Sequence, residues 1–316
     1  MGFRVVQGGL LTTVQDSGRT GFQSQGFSVG GVMDARAFRI ANILAGNAEN
    51  EAALEFALTG PELEFTSPAV IAVTGGDYMP EISGKAVPMY AALRVGPGDV
   101  LKFGGARRGN WGYIAFSGGL KVPEVMGSFS TSLRCGIGGF QGRKLRTGDE
   151  LATRTDRSSP PFLRFRKIPV PEEDSGEIRV VMGPQDGMFT ALGIETFLNS
   201  EYTVTAGMDR MGYRLEGPAV ELKNTADIIS DGIALGAIQI SSAGKPIVLM
   251  ADRQTTGGYA KIAAVISVDL PRLVQKRPDQ MIRFRAVSVQ EAQKLVLREA
   301  RELAWLRKTL WLPRKV

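Results

Sequence analysis

Short apolar runs separated by Gly, Pro and Asp about every ten residues fill most of this chain, which is the spacing of an all-β sandwich or barrel. Leu54, Phe56 and Leu58 alternate with Glu55, Ala57 and Thr59, the period of a half-buried strand. Gly60-Pro61 then turns into a strand at 63–65, and further runs lie at 69–73, 88–94, 100–103 and 111–116. Before them, a weak alternation over 3–15 ends at Leu10 to Gln15 and meets turn chemistry in Asp16-Ser17-Gly18-Arg19-Thr20-Gly21. These connections are too short for crossover helices, so a doubly wound parallel sheet is not expected. Asp34 reads as an N-cap, followed by Ala37, Phe38, Ala41 and Leu44 on one helical face and Gly46 as the stop. The second half predicts strands at 178–182, 202–205, 227–230, 233–240 and 247–251, with a short helix at 189–198. The end differs. Ser288 with Glu291 makes a capping box, and Ala292, Leu295, Val296, Ala300, Leu303, Leu306 and Leu310 share one face of an amphipathic helix over 288–312.

A length of 316 residues suggests about two domains of ~150 residues. The Pro-rich and acidic segment 156–176 divides the chain as a linker, giving expected domains at 1–155 and 177–316. The halves echo each other. Leu58-Thr59-Gly60-Pro61-Glu62-Leu63-Glu64 is matched by Leu215-Glu216-Gly217-Pro218-Ala219-Val220-Glu221, and Pro97 to Phe103 by Pro278 to Phe284, in the same order. Two related β domains follow as the expectation.

Composition narrows the chemistry. There is no histidine, which removes the Ser-His-Asp triad, His-ligated zinc and the usual general base near neutral pH. Proton transfer must use Asp, Glu, Lys, Tyr or water, or come from a cofactor or a partner chain. Cys135 is the one cysteine, so an intramolecular disulfide and a Cys-based zinc cluster are excluded, and a structural role is expected for it. No metal site is expected. The net charge of +6 is not a nucleic-acid signature, because residues 288–316 hold seven Lys/Arg against three Glu and so carry +4 of it. No run is long and apolar enough to span a bilayer and no secretory signal is visible, which fits a cytoplasmic protein.

Polar side chains cluster at two strand ends. The apolar run Ile247 to Ala251 delivers Asp252, Arg253, Gln254, Thr255 and Thr256, an anion, a planar cation, an amide and two hydroxyls, before Gly257 and Gly258, which are expected to turn the chain sharply. Such a set suits a binding site, or a surface loop whose Asp252 and Arg253 pair with neighbours. A second mouth is expected at Gln15, Asp16 and Arg19, or an ordinary hairpin end. Asp209, Arg210 and Arg214 stand among Met and Gly, where they suit an anionic or amide ligand or an interface ion pair. The glycine run 136–144 fits neither a dinucleotide fingerprint nor a P-loop and reads as loop backbone.

The stretches 10–19, 31–37, 138–145, 208–215, 229–239 and 251–259 together resemble the C subunit of bacterial 5-oxoprolinase, a family also called KipA, allophanate hydrolase subunit 2 or biotin-dependent carboxyltransferase. The resemblance covers nearly the whole chain. It implies two cyclophilin-like β-barrel domains with a few short helices and the C-terminal helix. It also implies a hydrolase component, inactive alone, that opens 5-oxo-L-proline to L-glutamate at the expense of ATP with a KipI-like B subunit and a LamB/YcsF-like A subunit. Alternatives within the family are the carboxyltransferase half of a urea carboxylase, with biotin arriving on another chain, and a regulator that antagonises a KipI-like kinase inhibitor. All enzymatic members share the need to grip a planar lactam or ureido group. On that ground Asp252, Arg253 and Asp209 are the candidate catalytic residues. Gln254, Thr255, Thr256, Gly257, Gly258, Tyr259, Lys261, Arg210 and Asp231 are the candidate substrate-binding residues, with Asp252 orienting Arg253 or receiving a ligand N–H.

Overall fold

A computed structural model describes residues 2–154, 166–171 and 176–311. The segment expected as a linker lies largely outside them. The chain is mainly β and forms two compact units: one made of 1–19, 30–172 and 300–316, the other of 20–29 and 173–299.

The first unit holds two antiparallel sheets. One runs Glu150–Ala152, Gly2–Gln7, Glu62–Phe65, Val100–Phe103, Pro80–Ile82 and Lys85–Ala86 in spatial order. The other runs Leu11–Gln15, Ala53–Ala57, Arg108–Phe116, Ala69–Asp77 and Ala92–Val95. Phe3 of the former stacks on Phe116 of the latter with ring centroids 4.7 Å apart, so the core lies between them. The predicted helix is α1 (Ala35–Ala45): Asp34 accepts from the Ala37 N–H at 2.8 Å, and Gly46 ends it in the left-handed conformation. Leu58, expected inside a strand, instead stands at φ 58° just past Ala53–Ala57, because the chain bends there toward Gly60-Pro61.

In the second unit seven strands close into a barrel in the order Glu177–Met182, Lys261–Val265, Ala237–Ile240, Pro246–Leu249, Gly212–Glu216, Glu201–Val204 and Met281–Ala286. The last pairs in parallel with the first, Ile178 opposite Phe284, which leaves the barrel without a free edge. Helix α2 (Ala191–Asn199) starts at Thr190, whose hydroxyl caps Gly193, and stacks Phe197 on Phe284 at 4.7 Å. Helix α3 (Leu270–Val274) follows Asp269. The strand expected over 233–240 is confined to Ala237–Ile240. Residues 227–232 instead pair with Thr256–Tyr259 as a separate two-stranded ribbon. Of the two sequence echoes, the second ends in a strand in both halves, Val100–Phe103 and Met281–Ala286. In the first, Glu62–Phe65 is a strand, whereas 218–221 is not.

The final helix α4 (Val289–Trp311) opens with Ser288 accepting from the Glu291 N–H at 3.1 Å. Its last turns belong to the first unit, where Leu303 and Leu310 are buried and the Trp311 indole N–H donates to the Ile43 carbonyl at 3.0 Å. Val296, predicted on the buried face, is exposed, as are Leu297 and Trp305. Cys135 is exposed as well, so packing gives it no structural role. No helix among the described residues is long and apolar enough to cross a membrane.

Candidate functional site

Strand Pro246–Leu249 runs out through Met250 and Ala251 into a tight turn, closed by the Arg253 N–H donating to the Met250 carbonyl at 3.2 Å. That turn throws the Asp252 and Arg253 side chains to different neighbours. Asp252 is gripped by Arg210, with Nε to Oδ2 at 2.8 Å and Nη2 to Oδ1 at 2.9 Å. Asp252 therefore makes no side-chain hydrogen bond to Arg253; it ties this turn to the one at Asp209-Arg210, a tie repeated by the Asp252 N–H donating to the Arg210 carbonyl at 2.7 Å.

Arg253 is 7% exposed and is held by neutral carbonyls alone: Nε donates to the Ile233 oxygen at 3.1 Å and Nη1 to the Met250 oxygen at 3.3 Å. Among the described residues no carboxylate pairs with it and Nη2 has no hydrogen-bond partner. Burial pulls its guanidinium down from the ordinary arginine value, the sign of a cation stripped of water without a counter-ion. Its own carbonyl accepts from the Ser28 hydroxyl at 2.7 Å, which anchors the turn to segment 20–29 of the same unit.

The glycines do not turn the chain. Gly257 and Gly258 lie inside the ribbon strand Thr256–Tyr259, and neither has a positive φ. Gly257 is required for room: a Cβ there would stand 2.6 Å from Ile233 Cδ1 and 2.9 Å from Gln239 Nε2. The missing side chain lets Ile233, whose carbonyl holds Arg253, and the Gln239 and Gln254 amides converge on one point. The Thr255 and Thr256 hydroxyls make no hydrogen bond among the described residues; Thr255 is half-buried and Thr256 exposed.

Lys261 comes from a barrel strand and rises to the ribbon. A register shift between Ile238 and Gln239 sets Gln239 opposite Lys261, and such bulges re-aim side chains. The Lys261 ammonium, 5% exposed, donates to Asp231 Oδ2 at 3.2 Å, and Gln239 donates to the Tyr259 carbonyl at 3.2 Å. The Gln185 carboxamide accepts from the Lys261 backbone N–H at 3.2 Å. Asp231, hydrogen-bonded by Lys261 and by the Gly232 N–H, is held below the usual carboxylate range. Asp209 stands apart: its Oδ1 accepts from the Met211 and Gly212 N–H groups at 2.7 and 2.9 Å, which makes it a turn former.

In the first unit Gln15, Asp16 and Arg19 gather around the segment 128–131. Asp16 accepts from the Ser128 hydroxyl at 2.7 Å and the Phe129 N–H at 2.6 Å, and Ser130 also donates to it. Arg19 donates to the Ser130 carbonyl at 2.6 Å, and Gln15 to the Thr131 carbonyl at 3.1 Å. These contacts fasten a loop over the edge strand Leu11–Gln15. Gln185, Gln239, Ser28 and the Ile233 carbonyl went unnoticed in the sequence. For Gln239 one signal exists, a polar residue inside the apolar strand Ala237–Ile240.

Residues 25–286 match the family described as carboxyltransferase domain, subdomain A and B. The chain is 41% identical over 283 residues to the C subunit of the Haemophilus influenzae 5-oxoprolinase, covering 90% of each chain. It is 36% identical to the C subunit of the Escherichia coli 5-oxoprolinase, over 96% of this chain and 97% of that one. It also superposes on the crystal structure of the Kluyveromyces lactis urea carboxylase with a TM-score of 0.89 at 29% identity, over 99% of this chain and 30% of that one.

Proposed function

The chain belongs to the carboxyltransferase family of subdomains A and B, and from that premise we propose that it is the C subunit of an ATP-dependent 5-oxoprolinase. In this reading it works with a KipI-like B subunit and a LamB/YcsF-like A subunit, and it turns nothing over alone. The observation that carries the assignment is the buried Arg253 guanidinium, held by carbonyls and free of any carboxylate partner among the described residues.

Opening 5-oxoproline breaks the lactam C–N bond. A water oxygen adds to the carbonyl carbon and the nitrogen gains a proton. Negative charge builds on the carbonyl oxygen as the water adds and is discharged as the C–N bond breaks, and a pre-positioned cation in a dry site stabilises that charge more than it stabilises the neutral lactam. Arg253 Nη2 supplies the donor for that oxygen. Gln254, Thr255 and Thr256 offer hydrogen bonds to the lactam N–H and ring edge, with the backbone amides of Gly257 and Gly258 completing the recognition surface. Asp252, held by Arg210, fixes the turn that aims Arg253. With no histidine in the chain, the proton for the leaving nitrogen comes from Asp, Glu, Lys, Tyr or water, or from a partner protein. ATP is handled by another subunit or at an interface with one.

Glutamate release and ATP hydrolysis from 5-oxoproline, measured with all three components together and each omitted in turn, test the proposal. Activity that disappears when this chain is left out supports it; full activity without the chain refutes it. A second reading, carboxyl transfer from biotin carried on another chain, draws on the superposition over 99% of this chain with a urea carboxylase. Carboxybiotin with urea is its assay.

A further inference from the structure

The Lys261 ammonium has a partner unlike those of the other buried cations in this unit. Arg210 is matched by two hydrogen bonds to Asp252, and Arg253 by neutral carbonyls. Lys261, 5% exposed, has one hydrogen bond from its three donors, to a carboxylate that is itself 57% exposed. Asp231 reaches it from the ribbon that pairs 227–232 with Thr256–Tyr259, whose residue Ile229 stands almost wholly in solvent. A buried ammonium costs several kcal/mol to desolvate, so it sits stably only beside an anion. An anion delivered by an exposed ribbon is one that another carboxylate can replace.

Carboxamides gather at Gly257, the ribbon partner of Asp231. Gln239 lies opposite Lys261 in the barrel, and its amide nitrogen comes within 2.9 Å of where a Cβ on Gly257 would be. The Gln254 amide nitrogen is 3.4 Å from that position, and the Gln185 carboxamide meets the Lys261 backbone N–H. Asp231, which holds the ammonium, pairs with Gly257 in the ribbon, and Ile233 touches the same glycine position and carries the carbonyl that holds Arg253.

We propose that Lys261, assisted by the Gln239 and Gln254 amides, binds the carboxylate of a small lactam acid, and that Asp231 is an internal competitor for that position. The identity of the ligand rests on the 5-oxoprolinase reading; the carboxylate position does not. It gives the site a means of telling 5-oxoproline, which carries a carboxylate, from urea, which does not. Loss of a charge-assisted hydrogen bond of this kind lowers affinity about ten- to a hundredfold.

The test measures binding to the full-length chain, and to its assembled complex with both partners, by calorimetry with 5-oxo-L-proline, with 2-pyrrolidinone and with urea. 2-Pyrrolidinone is the same lactam without its carboxylate. The wild type is expected to prefer 5-oxoproline over 2-pyrrolidinone by about tenfold or more. Lys261→Met should erase that margin, Lys261→Arg should keep part of it, and Asp231→Asn should tighten 5-oxoproline while leaving 2-pyrrolidinone unchanged. Equal affinity for the two lactams in the wild type overturns the proposal, as does a margin that survives Lys261→Met or a failure of either preparation to bind 5-oxoproline. If Lys261→Met does not fold, the exposed Asp231→Asn decides: tighter binding supports the proposal and weaker or unchanged binding overturns it. A margin that holds while the complex releases no glutamate refutes the reaction and leaves the carboxylate position. Glutamate release without a margin does the reverse.

Discussion

Arg253 and Asp252 are neighbours in sequence with different tasks. Arg253→Lys keeps the charge but loses the planar fork that spans the Ile233 and Met250 carbonyls, so its ammonium cannot both hold those carbonyls and aim a donor. We expect kcat of the complex to fall about a hundredfold or more with an unchanged circular dichroism spectrum, the scale of losing one preorganised oxyanion donor. Arg210→Met should act through stability instead, lowering the urea midpoint by the equivalent of about 2–4 kcal/mol, because Asp252 is left without the guanidinium that satisfies both its oxygens. Gly257→Ala separates room from turning. Its methyl would collide with Ile233 and Gln239, so the variant should lose activity in the complex, whereas a residue needed only for a turn would be restored by asparagine, and Gly257→Asn should be worse still. The Asp252 to Tyr259 stretch was legible as a polar strand end. Its partners were not, since Arg210, Ile233 and Ser28 lie 42, 20 and 225 residues away from theirs.

Two elements make predictions of their own. Helix α4 buries Leu303 and exposes Leu297, so Leu303→Ala should cost about 2–5 kcal/mol in denaturant unfolding and Leu297→Ala less than about 0.5 kcal/mol. Periodicity alone counted Val296 and Leu303 as one face, and only packing could show that the stripe is covered near its end. Trp311 explains why: its indole stacks under the Arg166 guanidinium at 3.7 Å and sits where a Cβ on Gly46 would be. Helix α3 is preceded by Asp269, fully buried beneath Arg179 and Arg272. Burial pushes that carboxyl up, but the Arg179 hydrogen bonds and the two positive charges outweigh it and hold the group below the usual carboxylate range. A carboxylate with a depressed folded pKa contributes stability that is complete above its unfolded value of about 4 and is lost as pH falls through the folded value. Stability should therefore decline below about pH 4, and Asp269→Asn should lower stability at neutral pH while flattening the acid limb of a pH-dependent urea titration.

For the whole molecule, the sequence by itself determined the β class, the short strands, α1 with both caps, the capping box of α4 and the polar strand end at Asp252. These follow from periods of two and 3.6 and from capping chemistry, which act over a few residues. It also carried the family, through motifs spread over nearly the whole chain. Only the tertiary structure decided that seven strands of the second unit close through a parallel pair, and that 20–29 joins that unit. It also decided that 227–232 leaves the barrel to pair with Thr256–Tyr259. Gly257 and Gly258 looked like a turn because glycine is the residue of turns, yet Gly257 is there for lack of a side chain, while Gly258 has ordinary room for one. Whether a glycine supplies a dihedral or a space depends on what stands across from it. The same holds for Gln239 and Lys261, which a one-residue register shift places face to face. Strand pairing is selected by the burial of both partners at once, a joint condition that no local stretch of sequence states.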